Sequence, residues 1–176
     1  QMVSRAAHSA VTCVRGSITA EAPAPAVRAT IPMRSNTSLR TDGSPIIHSY
    51  LRFEVPPLSG SVVSAQLRVY ANTAETTGYR VHGSTGGWAE MTINFTNAPP
   101  FGSSVGNSGA VSANSWTVVD VTALVTGAGQ HNFVMTTTSG TATSFSSKTG
   151  PNPPQLIINV GLPLTPTDTA TFTPTN

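Results

Sequence analysis

The sequence predicts an all-β fold: a single jelly-roll-like antiparallel β-sandwich with extended N- and C-terminal arms. Three observations carry this. Apolar residues alternate with polar ones in short runs, the two-residue period of strands with one buried face. The runs are separated by Gly, Pro, Asn and Ser, the residues of turns. No segment sustains the 3.6-residue period of an amphipathic helix.

The elements follow in order. Residues 10–14 form a strand-like piece, and a Pro/Ala hinge follows at Ala22-Pro23-Ala24-Pro25. Ile47, Ser49, Leu51, Phe53 and Val55 share one strand face, and His48, Tyr50, Arg52 and Glu54 the other. Pro56-Pro57 ends this run, because proline brings no ladder donor. Ala65, Leu67, Val69 and Ala71 point one way, with Gln66, Arg68 and Tyr70 opposite. A shorter strand covers 79–82, between Gly78 and Gly83. In the block from Trp88 to Pro100, Gly86-Gly87 is a turn ahead of an anchoring Trp88. Ile93 and Phe95 then alternate with Thr92, Asn94 and Thr96 as a strand, which Asn97-Ala98-Pro99-Pro100 stops. Trp116, Val118, Asp120 and Thr122 alternate with Thr117, Val119 and Val121; residues 122–125 form one helical turn, closed by Gly127. Strands at 133–136 and 155–160 complete the set. The expected core is Leu51, Phe53, Leu67, Val69, Trp88, Ile93, Phe95, Trp116 and Leu156.

A chain of 176 residues holds one such body with its ends left over. The division expected is an N-terminal arm at 1–24, a sandwich at 25–161 and a Thr/Pro-rich tail at 162–176. Charged residues make up 9%, far below the ~25% of ordinary globular domains. The surface is therefore built from Ser, Thr, Asn and Gly, as suits secreted proteins, glycan-coated proteins or subunits covered by neighbours. The basic residues are scattered, so nucleic acid is not an expected partner. No run of about 18 apolar residues exists to span a membrane. The chain starts at Gln1 with no basic-then-apolar leader; a processed N-terminus and a secreted, cell-surface protein are the expectation. The lone Cys13 has no partner for an intramolecular disulfide and no metal-ligand spacing, and reads as a small buried hydrophobe in a strand.

The residues offer little for catalysis. None of the seven acidic residues forms a close pair in sequence. His8, His48, His82 and His131 lack zinc spacing, and there is no Gly-x-Ser-x-Gly elbow or phosphate-binding glycine loop. No enzyme activity, metal or cofactor is expected. Asp120 is expected to accept hydrogen bonds from backbone or Thr122, and Glu90 to cap backbone donors. The sequons at Asn36 and Asn94 are weak signals.

Several blocks recur in a fixed order: Ser49-Tyr50-Leu51-Arg52-Phe53-Glu54-Val55, then Ser64-Ala65-Gln66-Leu67-Arg68-Val69-Tyr70, then Gly87-Trp88-Ala89-Glu90 with Thr92-Ile93-Asn94-Phe95 and Asn97-Ala98-Pro99. Asp120-Val121-Thr122-Ala123-Leu124-Val125, Phe145-Ser146-Ser147-Lys148 and Pro154-Gln155-Leu156 continue it. Over roughly residues 27–160 this order resembles the DNRLRE-domain family, which is grouped with an alginate-associated carbohydrate-binding module family. The chain departs from the pattern at Phe95, where the family often has Trp, and at 26–30, where the opening strand lacks its acidic residue. The resemblance implies a secreted, non-catalytic bacterial β-sandwich.

Two functions are compatible with this. The first is a structural subunit that assembles with copies of itself into a surface fibre or array. Val11, Cys13, Val14 and Ile18 would add as a strand to a neighbour's sheet edge, and Leu162, Leu164 and Phe172 would anchor the tail in a groove. The alternative for these arms is that they fold back on their own domain. The second function is binding of an acidic polysaccharide. His48, Tyr50 and Arg52 share one strand face, and Arg68 and Tyr70 another. If those strands pair, they make an aromatic and basic patch, aromatic faces taking the apolar side of a sugar and polar groups its hydroxyls. An ordinary solvated sheet face, or one covered by a neighbour, is the plainer alternative.

Overall fold

The structure, a computed structural model, describes residues 12–13, 38–90, 92–94 and 96–161, the first pair as backbone only. Its strands are β1 (Thr12–Cys13), β2 (Ser38–Gly43), β3 (Ile46–Ile47), β4 (Ser49–Val55), β5 (Val62–Ala71), β6 (Arg80–Ser84), β7 (Phe101–Asn107), β8 (Ser115–Asp120), β9 (Gly129–Thr136), β10 (Thr143–Ser146) and β11 (Gln155–Val160). A single 3-10 turn covers Thr122–Leu124, at the expected helical turn. The all-β sandwich predicted from the alternation is the fold found.

One sheet runs β1-β4-β9-β6-β7. Its pairs are antiparallel apart from β1, which lies parallel to β4 with Thr12 opposite Leu51 and Cys13 opposite Arg52. The other sheet is centred on β5. Strand β8 pairs along one edge of β5, while β11 and then β10 take the opposite edge, and β2 and β3 continue outward. Between the sheets lie Leu51, Phe53 and Val55 of β4 and Phe133 and Met135 of β9, packed against Ala65, Leu67, Val69 and Ala71 of β5 and Leu156 and Ile158 of β11. A buried polar link crosses this core. The Tyr79 hydroxyl donates to Thr117 Oγ1 at 2.7 Å, because the Thr117 hydroxyl itself donates to the Val69 carbonyl at 2.8 Å.

Four expectations are corrected. Trp116 is not core: in β8 it is Thr117 and Val119 that face inward, and Trp116 lies half-exposed on the outer face. Residues 92–94 and 96 are not in a strand. Asn94 and Asn97 bond the local backbone instead: Asn97 Oδ1 accepts from the Asn94 N–H at 2.6 Å and Asn94 Oδ1 from the Thr96 N–H at 2.9 Å. Asn94 Nδ2 and Asn97 Nδ2 both donate to the Thr92 carbonyl. Such side-chain bonds compete with sheet pairing and fold the chain into a loop. The run 47–55 is broken at His48, where the chain passes from one sheet to the other. There the buried Ser49 hydroxyl accepts from the Arg40 N–H and donates to the Arg40 carbonyl, pinning the corner. Among the described residues Glu90 caps no backbone donor; it pairs with Lys148 Nζ. Asp120 does accept from the Thr122 N–H, at 2.8 Å.

Strands β2, β7 and β10 escaped the alternation reading. Most of β7 is exposed on both faces, so it carries almost no apolar period. Phe95, Val11, Val14, Ile18, Leu162, Leu164, Phe172 and most of the two arms lie outside the described residues.

Candidate functional site

The two strand faces that were expected to combine are in different sheets. Strand β4 pairs with β9 and β1, and β5 with β8, β10 and β11, so His48, Tyr50 and Arg52 lie on the outer face opposite to that of Arg68 and Tyr70.

The β4 face is largely covered. Trp88, Ile93 and Ala98, from the segment after β6, lie over it and form a second apolar cluster with Tyr50 and Val134. Tyr50 is only 2% exposed, and its hydroxyl donates to the Pro99 carbonyl at 3.2 Å. Burial raises its phenol above the ordinary tyrosine pKa. The Arg52 guanidinium stacks on the Trp88 ring at 4.0 Å from the centroid, donates to the Trp88 carbonyl, and donates from Nε to Asn132 Oδ1 at 3.1 Å. Arg52 is thus committed to holding the segment. The Glu90–Lys148 pair fastens the same segment, with side chains 13% and 9% exposed. His48 packs edge-on against Phe101 at 5.3 Å. Of the expected contacts on this face, Tyr50 and Arg52 are architecture.

The β5 face is open. Cross-strand register places Tyr70 opposite Trp116, Arg68 opposite Val118 on one side and Gln155 on the other, and Gln66 opposite Asp120 and Ile157. Tyr70 and Trp116 meet edge-to-face at 5.4 Å, both half-exposed. The Arg68 guanidinium lies 4.8 Å from the Trp116 centroid and Nη1 donates to Gln155 Oε1 at 3.2 Å. Among the described residues Gln155 is its one hydrogen-bonded partner, which leaves most of its five donors for a ligand. Val118 adds apolar surface at 46% exposure. At the end of the row the Asp120 carboxyl is held below its ordinary pKa, first by the Thr122 backbone N–H and then by the Thr122 hydroxyl, so it is a stable anion. The alternation of residues 64–70 already exposed Arg68 and Tyr70; Trp116 was missed because a large aromatic in a strand reads as core.

Among the described residues no group of three His, Cys, Asp or Glu could hold a metal ion, and no helix is long and apolar enough to cross a membrane. An indole, a phenol and a guanidinium on one half-exposed row can stack on a sugar ring and bond its oxygens.

No curated protein matches the chain. The family model of carbohydrate-binding module family 96 matches residues 28–160, most of the sequence and almost all of the sandwich. The chain belongs to carbohydrate-binding module family 96.

Proposed function

We propose that this chain is a non-catalytic, extracellular polysaccharide-binding domain that holds its ligand on the Arg68–Tyr70–Trp116 row. Membership of a carbohydrate-binding family supports the ligand class. The single observation that favours this face is the half-exposed indole beside an arginine with unused donors. The indole takes the C–H face of a pyranose, and Arg68 and Gln155 take its oxygens. Arg68 also favours a chain bearing carboxylates, since a guanidinium matches a carboxylate in geometry and charge. Affinity electrophoresis through gels cast with alginate or with neutral polysaccharides tests this. Retardation is expected in alginate, weakened about tenfold to hundredfold by Trp116→Ala or Arg68→Ala, the range of an interface hot spot. Added salt should weaken it too. Unchanged retardation in both variants would refute the row as the site.

A second reading is a self-assembling surface subunit, and one observation favours it. Among the described residues strand β1 pairs with the edge of β4 at two positions, and the same pairing can be supplied by another copy. The acceptor would be the β4 edge and the donor the segment around Cys13.

A further inference from the structure

We infer that the end of the five-stranded sheet carries a second carbohydrate subsite, for an uncharged pyranose residue. It is a cleft of about 610 Å³, within the size range that encloses small ligands. Its walls are the open end of the β6–β7 pair, the start of β9 and the turn at 85–86. It lies on the sheet opposite the Arg68 row and stands or falls separately from it.

Three features choose the ligand. The first is close backbone approach. A Cβ on Gly86 would sit 3.2 Å from Gln130 Oε1 and 3.6 Å from Asn132 Nδ2, so a side chain there would crowd the amides that line the cleft. The second is a pair of amides. Arg52 Nε fixes Asn132 by bonding its Oδ1, which turns Nδ2 toward Gln130 Oε1 at 3.5 Å. The other bond of Gln130, to Glu54 Oε2, is also long at 3.4 Å. Bonds of that length are weak, so both amides can exchange them for ligand hydroxyls at little cost. Neighbouring amides offer donors and acceptors together, which suits adjacent hydroxyls on one ring. The third is Phe101, which is 37% exposed and held by His48 and by His82 at 4.8 Å, an apolar surface for the C–H face of a sugar.

The lining favours an uncharged sugar over an acidic one. No Asp, Glu, Lys or Arg is among its described lining residues. His131 also lines it, with Nδ1 3.1 Å from the Leu124 carbonyl and Nε2 2.8 Å from the Gly127 carbonyl, so the ring is turned to the backbone. A carboxylate entering here would lose water and meet no Lys or Arg side chain among the described lining residues.

The test is an NMR titration of the isotope-labelled full chain with mannohexaose, cellohexaose and maltohexaose, and with oligomeric alginate for comparison. At least one neutral hexaose should shift the side-chain amide signals of Gln130 and Asn132. That shift should persist in Trp116→Ala. Gln130→Ala and Gly86→Val should each weaken binding about tenfold or more, the effect of losing one hydrogen bond. Gln130 is exposed, so its variant reports even if Gly86→Val fails to fold. The inference is overturned if no neutral hexaose moves those amides, if alginate alone moves them, or if Gln130→Ala binds as the parent does. Loss of the amide shifts in Trp116→Ala would also overturn it, by assigning the sugar to the Arg68 row.

Discussion

Tyr79 shows how one side chain couples the two sheets. Its ring packs edge-on against Phe145 at 5.0 Å, and its hydroxyl bonds Thr117 on the opposite sheet. Burial pushes its phenol far above the ordinary tyrosine range. A folded pKa raised above the unfolded value adds stability that is complete below the unfolded pKa of about 10 and is lost as pH rises beyond it. Urea unfolding should therefore show stability falling above pH of about 10. Tyr79→Phe should cost about 1 kcal/mol at neutral pH, for the lost hydrogen bond, and should make the alkaline fall shallower. Tyr50, shifted in the same direction by burial, shares the slope, so the fall should shrink rather than vanish. Equal slopes for the parent and Tyr79→Phe would mean that the phenol does not titrate with unfolding. The same scale explains Trp116. Strand parity alone cannot say which face is inward; in β8 the inward set is Thr117 and Val119, and a hydroxyl in the core is only credible once Tyr79 is seen to meet it.

At the scale of elements, the segment at 85–100 is a cover held on the β4–β9 surface by three fastenings: Arg52 on Trp88, Tyr50 to Pro99, and Glu90 to Lys148. The last is an ion pair with little access to solvent, so removing one partner leaves the other charge poorly solvated. Lys148→Met should cost about 3 kcal/mol, at the low end for a broken buried pair, while the Lys148→Met, Glu90→Gln double variant should recover most of that loss. Urea midpoints of the two single variants and the double variant measure this; a double variant as unstable as the sum of the singles would show that the charges are not coupled. Trp88 was readable from the sequence as an anchor, but the described residues of the strand read into 92–96 are in a loop. Its alternation was real, yet Asn94 and Asn97 bond backbone groups that a ladder would need. Elsewhere the period succeeded where one face is buried and the other wet, as in β5, and failed where neither face is, as in β7.

For the whole molecule, what the sequence could not convey was which strands are neighbours. Alternation assigns faces within a strand, and the faces of β4 and β5 were read correctly in outline. Pairing depends on long-range contacts, and it sends these two strands to opposite sheets, so the patch imagined across them divides into a covered surface and an open row. The same topology puts β1 outside β4, which is bonded to β9 along its length and, among the described residues, to β1 at Leu51 and Arg52. Exposed edges recruit strands, and charge-poor surfaces resist such pairing less than charged ones do. If the N-terminal segment adds to β4 of another copy, the full chain should gain mass with concentration in multi-angle light scattering. A variant lacking residues 1–20 should stay at the mass of one chain, and electron microscopy should show polymers for the full chain alone. Because the two faces proposed for sugars involve neither β1 nor the outer edge of β4, the truncated variant should still bind polysaccharide. A full chain that stays monomeric at every concentration would leave the edge as no more than the place where its own N-terminal strand rests.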